Sequence, residues 1–324
     1  MTRKPSSERS PSGVARFCFG AALCLLGCKR DPEPAPEPAP LPVPVASAPQ
    51  KLYLPDDYDA HFSSGSSPST KKSRRCPDEM VLVQDGFCID RFEVSMLEAS
   101  TARELSPHYP PTRRYVTTLF ERFKKTPARP QGPLASFLPL PAPADFQLSG
   151  NFEARAASKR DVLPAGYLSK YMAEAACQRA DKRLCSRDEW ITACRGQQSR
   201  PYPYGASYEE GSCNVNRKSH PARLLHGDAS KNHLDPRLGL TQDVDGPLLR
   251  RTGATRTCQS TWGDDAIFDM VGNIDEWIDE PGGSFLGGFF SRGTTSGCAS
   301  SIDLHGPDYL DYSLGTRCCV NAAP

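Results

Sequence analysis

Phe268-Asp-Met-Val-Gly-Asn-Ile-Asp-Glu-Trp277 is the stretch on which the reading of this chain turns. It offers acidic side chains and free carbonyls around a glycine turn, with a tryptophan to pack behind them. Upstream, Lys182-Arg-Leu-Cys-Ser-Arg-Asp-Glu-Trp190 opens a short helix. Within it, Ser186-Arg-Asp-Glu189 has the form of a capping box, in which hydroxyl and carboxylate satisfy orphan amides. Gly196 stands where that helix ends. Ser169 is placed to cap a preceding helix with Tyr171, Met172, Ala175, Ala176 and Ala180 on one stripe.

Outward from these helices the chain reads as short pieces. Met80–Val83 and Gly86–Val94 form two short strands around an Asp85-Gly86 turn. Residues 97–160 are loosely patterned, Pro-rich towards Pro143 and locally basic through Arg113, Arg114, Arg122, Lys124 and Lys125. They read as a surface insert and not as a second domain. Tyr202 to Ser260 is Gly-, Asn- and Asp-rich loop, and short strands return at Gly283–Phe290 and Gly315–Val320. The aromatics Trp262, Phe289, Phe290 and Tyr309 read as core.

The bulk numbers narrow the function classes. The 324 residues include 31 Pro and 25 Gly, so much of the chain is loop or linker. A net charge of +1, with no helical face collecting Lys and Arg, argues against nucleic acid as a partner. Arg3, Lys4, Arg9 and Arg16 precede an apolar run, Phe17 to Leu26, of signal-peptide length. The run ends in Leu25-Leu26-Gly27-Cys28, similar to a bacterial lipobox, so Cys28 is the expected lipidation site. Residues 1–28 are then a lipoprotein signal peptide and 29–75 a Pro/Ser-rich tether. Within the tether, Glu33 to Pro44 alternates proline and favours polyproline II. Residues 76–324 are the folded domain. The expected location is the bacterial cell envelope, periplasm or outer membrane, with the lipid anchor as the only membrane contact.

Of thirteen cysteines, Cys18, Cys24 and Cys28 lie in the leader, leaving an even ten. An even number in an exported domain reads as a disulfide framework, and no paired CxxC motif suggests zinc. A chain with two good helices and few short strands needs such staples to offset its ordering entropy.

Taken in order, the motifs resemble those of the sulfatase-modifying-factor family, whose best-known members are formylglycine-generating enzymes. Phe92-Glu93-Val94-Ser95 resembles the family's early E-V-[ST]. Lys182 to Trp190, followed by Ala193-Cys194-Arg195-Gly196, resembles its K-R-L-P-T-E-A-E-W…A-x-R-G run, with Cys185 in place of proline. Tyr202-Pro-Tyr-Gly205 resembles Y-P-W-G, Asp269 to Trp277 resembles D-M-V-G-N-x-x-E-W, and Gly315-Thr-Arg317 stands where the family ends in G-F-R. The resemblance runs from about Cys76 to Cys319, broken by the insert. It implies an α+β fold, related to C-type lectins and poor in regular structure.

By position, it also implies the disulfides Cys177–Cys318 and Cys194–Cys298. Six cysteines remain. Pairing Cys76–Cys88 across the first hairpin and Cys213–Cys258 across the long loop leaves Cys185–Cys319.

For ligands, the resemblance implies structural calcium at Asp269, Gly272, Ile274 and Glu276. It implies a second calcium at Asn214, Val215, Asp245 and Pro247, although this chain carries a long loop between those two pairs. The family's oxidases hold Cu(I) through two thiolates in a C-x4-C arrangement beyond an R-G-G-S-W strand, and soft sulfur suits that ion. Here the matching positions are Gly287 and Arg292, or, in a second register, Arg292 and Gly297. Neither register supplies a thiol pair, so copper is not expected and no catalytic residue is assigned. An H-x3-H-x-E iron motif is absent, and His226, Asp228, His233 and Asp235 read as a solvated polar loop.

The expected function is therefore a non-catalytic binding or structural module whose partner is a peptide, a glycan or an envelope protein. The alternative is a divergent oxidoreductase of the formylglycine-generating type, converting a cysteine of an exported sulfatase-like protein.

Overall fold

A computed structural model describes residues 75–126 and 138–324. The leader, Cys28 and the tether up to residue 74 lie outside the described residues. The strands are β1 (Met80–Val83), β2 (Phe87–Asp90), β3 (Val94–Glu98), β4 (Ala154–Ser158), β5 (Arg183–Leu184), β6 (Gln242–Asp243) and β7 (Gly246–Pro247). They continue as β8 (Gln259–Trp262), β9 (Asp265–Phe268), β10 (Asp275–Trp277), β11 (Phe285–Leu286), β12 (Ser301–Ile302), β13 (Leu314–Thr316) and β14 (Cys318–Asn321). The helices are α1 (Arg113–Lys124), α2 (Asp145–Ser149), α3 (Lys170–Gln178), α4 (Arg187–Arg195) and α5 (Pro221–His226). Two four-stranded sheets, ordered β1-β2-β14-β5 and β12-β11-β10-β13, form the centre, and three two-stranded ribbons surround them. This is a mixed α+β fold with modest regular structure.

The helix punctuation works as the residues dictate. The Ser169 hydroxyl accepts from the Met172 amide to start α3. Ser186 and Glu189 close the reciprocal capping box of α4, and Gly196 ends it at φ 68°. The buried face of α3 is not the expected stripe. Lys170, Ala173, Ala176 and Cys177 face inward, whereas Tyr171 is 58% exposed. The Cys177–Cys318 bond and the Lys170–Asp279 ion pair set the rotation of the helix, and both lie outside an apolar-stripe count.

Five disulfides close: Cys76–Cys88, Cys177–Cys318, Cys185–Cys319, Cys194–Cys298 and Cys213–Cys258. They are the five pairs named from the sequence. Neighbours on a strand point to opposite faces, so adjacent Cys318 and Cys319 serve different cores. Cys318 joins α3 in the cluster around Trp277, Leu168 and Leu314. Cys319 joins Cys185 in the cluster around Trp190, Val81 and Ile89. One strand thereby ties both cores together. Disulfides in this number place the fold in an oxidising, exported setting. No helix among the described residues is long and apolar enough to cross a membrane.

The insert is more structured than its sequence suggests. Its ends are core: β3 and β4 pair from Val94↔Ser158 to Glu98↔Ala154, and Leu105 joins the Trp277 cluster. Between them α1 buries Val116, Leu119 and Phe123 with Tyr109 in a small cluster of its own. The long loop after Tyr202 likewise carries α5, with proline in its first turn and Gly227 left-handed at its end.

Candidate functional site

The glycine turn is built by close approach. A Cβ on Gly272 would lie 2.3 Å from the Asn214 carbonyl oxygen, and φ there is 84°, so only glycine fits. The Asn273 amide donates to that same carbonyl at 2.8 Å. Asn273 is the hub: its Oδ1 accepts from the Asn214 side chain at 3.0 Å and from the Arg250 amide at 2.9 Å. Its Nδ2 donates to Glu93 at 2.8 Å. Sequence reading placed Asn273 inside a motif without giving it this role.

Behind the turn lies a buried ionic knot. Arg317, fully buried, donates through Nε to Glu276 Oε2 at 2.6 Å and through Nη2 to Oε1 at 2.7 Å. The Trp190 indole donates to Glu276 Oε2 at 2.7 Å. Burial is the largest single influence and works against the Arg317 charge, but Glu276 together with the neighbouring carboxylates holds the guanidinium charged. Asp269, at φ 59°, accepts the Gly253 amide at 2.6 Å. Burial pushes its carboxyl up to about 7. Glu93, fully buried, is raised well above the carboxylate range by burial and then by the Asp269 and Glu276 charges.

These residues do not fit the first implied calcium position. Both oxygens of Glu276 are committed to a guanidinium and an indole, so its counter-charge is already supplied by the chain. At the second position, Arg217 holds Asp243 and donates to the Gly246 carbonyl at 3.3 Å and the Pro247 carbonyl at 3.5 Å. Asp245 faces solvent. The Oδ1 of buried Asn214 lacks a hydrogen-bond partner, and the Arg217 guanidinium takes up the Pro247 carbonyl of this set. Among the described residues, no group of three His, Cys, Asp or Glu is arranged to hold a metal.

The histidine loop is solvated only in its middle, where Asp228 pairs with exposed Lys231; its ends are not. His226 Nε2 lies 3.1 Å from the carboxylate of fully buried Asp235, which also grips Arg237. His233 faces Asp311 instead, at 3.8 Å. The two imidazoles serve different carboxylates and do not converge.

The segment matching the copper positions carries a different chemistry. Arg292 donates to Asp275 Oδ1 at 2.8 Å and to Ser300 Oγ at 3.1 Å. Asp275 also accepts the Gly288 amide at 3.0 Å, and burial pushes its carboxyl up to about 7 despite Arg292. Cys298, the nearest sulfur in sequence, is bonded to Cys194. Phe290 is core, and Phe289, Trp262 and Tyr309 pack half-buried against the clusters.

An open groove of about 440 Å³ runs between the insert and α3. Its walls include Tyr115, Phe152, Tyr171 and Met172. Tyr115 and Tyr171 are 36% and 58% exposed, and they are the only exposed large aromatics among the described residues.

The sequence matches a model of the sulfatase-modifying factor enzyme 1-like domain over residues 60–282, well over half of the chain. The chain belongs to this family. As a sulfatase-modifying factor domain, it has loose likenesses among solved structures. A Major Tropism Determinant P3c variant is 13% identical over 77% of this chain and 54% of that one, at a TM-score of 0.37. CarF is 12% identical over 73% and 87%, at 0.36. PvdO from Pseudomonas aeruginosa is 13% identical over 73% and 80%, at 0.32. The chain spans about half the length of the tropism determinant. None of the curated proteins matches this chain.

Proposed function

We propose that this sulfatase-modifying factor domain is a membrane-tethered, non-catalytic module of the cell envelope that binds a peptide, a glycan or an envelope protein. One observation carries the reading: all ten cysteines of the described domain are bridged. Formylglycine generation of the family's kind needs two reduced thiolates on one Cu(I), and a disulfide offers neither charge nor lone-pair softness for that ion. The Arg292–Asp275 pair occupies the matching segment. The groove between the insert and α3, with its two exposed tyrosines, supports a binding role, since such rings give contact area at low entropic cost.

The same proposal has Arg317 and Arg217 standing in for calcium as counter-ions to the buried carboxylates. The deciding experiment incubates the mature chain aerobically with a copper salt and a peptide containing Cys-x-Pro-x-Arg. No thiol-to-aldehyde mass change is expected; turnover would establish the oxidoreductase instead. Intact mass of membrane-expressed protein, with Cys28→Ser as control, tests the tether.

A further inference from the structure

We propose that the outer face of α1 is an electrostatic docking surface for an anionic lipid bilayer. The helix turns Val116, Leu119 and Phe123 into its own cluster and leaves Arg113, Arg114, Arg122 and Lys124 exposed, with Lys125 just beyond. Glu121 is the one carboxylate among them, leaving four net positive charges on a chain whose formal charge is +1. At 100° per residue these cations spread across the whole solvent half of the helix, along about 18 Å.

Two observations separate this face from ordinary solvated charge. Several cations elsewhere hold carboxylates, as in Arg91–Asp265, Arg103–Glu98, Arg179–Glu153 and Arg187–Asp303, whereas those left unpaired, such as Arg195, Lys218 and Arg223, are not gathered on one helix face. None of the five α1 cations pairs with a carboxylate among the described residues. The arrangement also opposes the helix dipole, which favours acids in the first turn and bases in the last. α4 obeys, with Asp188 and Glu189 first and Arg195 last. α1 has no acid in its first turn and no side-chain cap, and places Arg113 and Arg114 there. Helix stability does not account for those arginines; an external anion does.

A bilayer fits better than a point anion because the charge is spread over a convex face. The apolar side of the helix is already buried, so the contact is adsorption and not insertion. The proposal rests on the membrane-tethered reading, which would hold this face near lipid.

The test uses the mature chain carrying Cys28→Ser, sedimented with phosphatidylcholine vesicles containing about a third phosphatidylglycerol. Binding is expected there, weakening with salt, and none to pure phosphatidylcholine. At about fivefold per cation, Arg114→Glu/Arg122→Glu/Lys125→Glu should lose ~100-fold or more. Lys71→Gln/Lys72→Gln/Arg74→Gln should lose less. Arg114→Gln/Lys125→Gln, a gentler change at exposed positions, should fall between. Equal binding by the α1 reversal, or equal binding to both vesicle types, overturns the proposal. Binding by the Cys28→Ser chain, with native Cys28 found unlipidated by intact mass, would sink the tether and leave the face standing. Lipidated Cys28 with no vesicle binding does the reverse.

Discussion

Glu276 finds its counter-charge inside the chain, and that fixes what the glycine turn does. Removing one partner of a buried pair strands the other, at about 3–5 kcal/mol. Arg317→Met is therefore expected to lower unfolding free energy by that amount in urea titration. If it costs less than about 1 kcal/mol, the pair is not the organising contact. Because Arg317 already engages both Glu276 oxygens and Arg217 the Pro247 carbonyl, chelating calcium should leave the melting temperature unchanged. A drop that calcium reverses would restore the metal reading. The motif showed that Asp269, Gly272 and Glu276 matter, but not what they hold, because Arg317 lies in a separate motif and joins only when β13 pairs with β10. His108, 7% exposed in the insert, gives a pH signature: burial pushes its imidazole down to about 4. A base whose folded pKa lies below its unfolded value stabilises fully above about pH 6.5, and that contribution fades as pH falls towards 4. The buried Asp269 and Asp275 carboxyls, raised by burial, act with the opposite sign. The difference between the native chain and His108→Phe isolates the imidazole: about 3 kcal/mol of acid-side slope should vanish in the variant. Parallel stability curves for the two proteins would contradict it.

At the scale of elements, what was legible followed from local chemistry. Ser169, Ser186, Glu189 and Gly196 announce α3 and α4, and the structure keeps each cap. α1 was missed for the complementary reason: Thr112 stands at its N-cap but makes no capping hydrogen bond, and no acid follows in the first turn, so its start signal is weak. α5 is too short for periodicity to reveal. The disulfides were legible because the family resemblance implied Cys177–Cys318 and Cys194–Cys298 and two local pairings left Cys185–Cys319, yet the reason two adjacent cysteines serve two cores appears only once β14 is a strand. That tie is testable. The double variant Cys185→Ser/Cys319→Ser should lose about 2–5 kcal/mol. It should loosen the Trp190 cluster before the Trp277 cluster, followed by hydrogen exchange of α4 against α3. Equal loosening of both helices would mean the staples act on the whole domain together.

At the scale of the molecule, a family scaffold persists with different contents. The chain matches the sulfatase-modifying factor domain, and in the segment that the resemblance aligns with the thiolate pair Arg292 stands paired to Asp275 of β10. Neither the groove beside Tyr171 nor the cationic face of α1 could be read from the motifs, because both depend on how the insert packs against the body. The central claim is that every cysteine of the folded domain is locked in a disulfide. It is tested most directly by alkylating the mature, unreduced, denatured chain and counting labelled sites among the ten by mass spectrometry. The account predicts none; two reproducibly labelled thiols, with copper bound in stoichiometric amount, would contradict it.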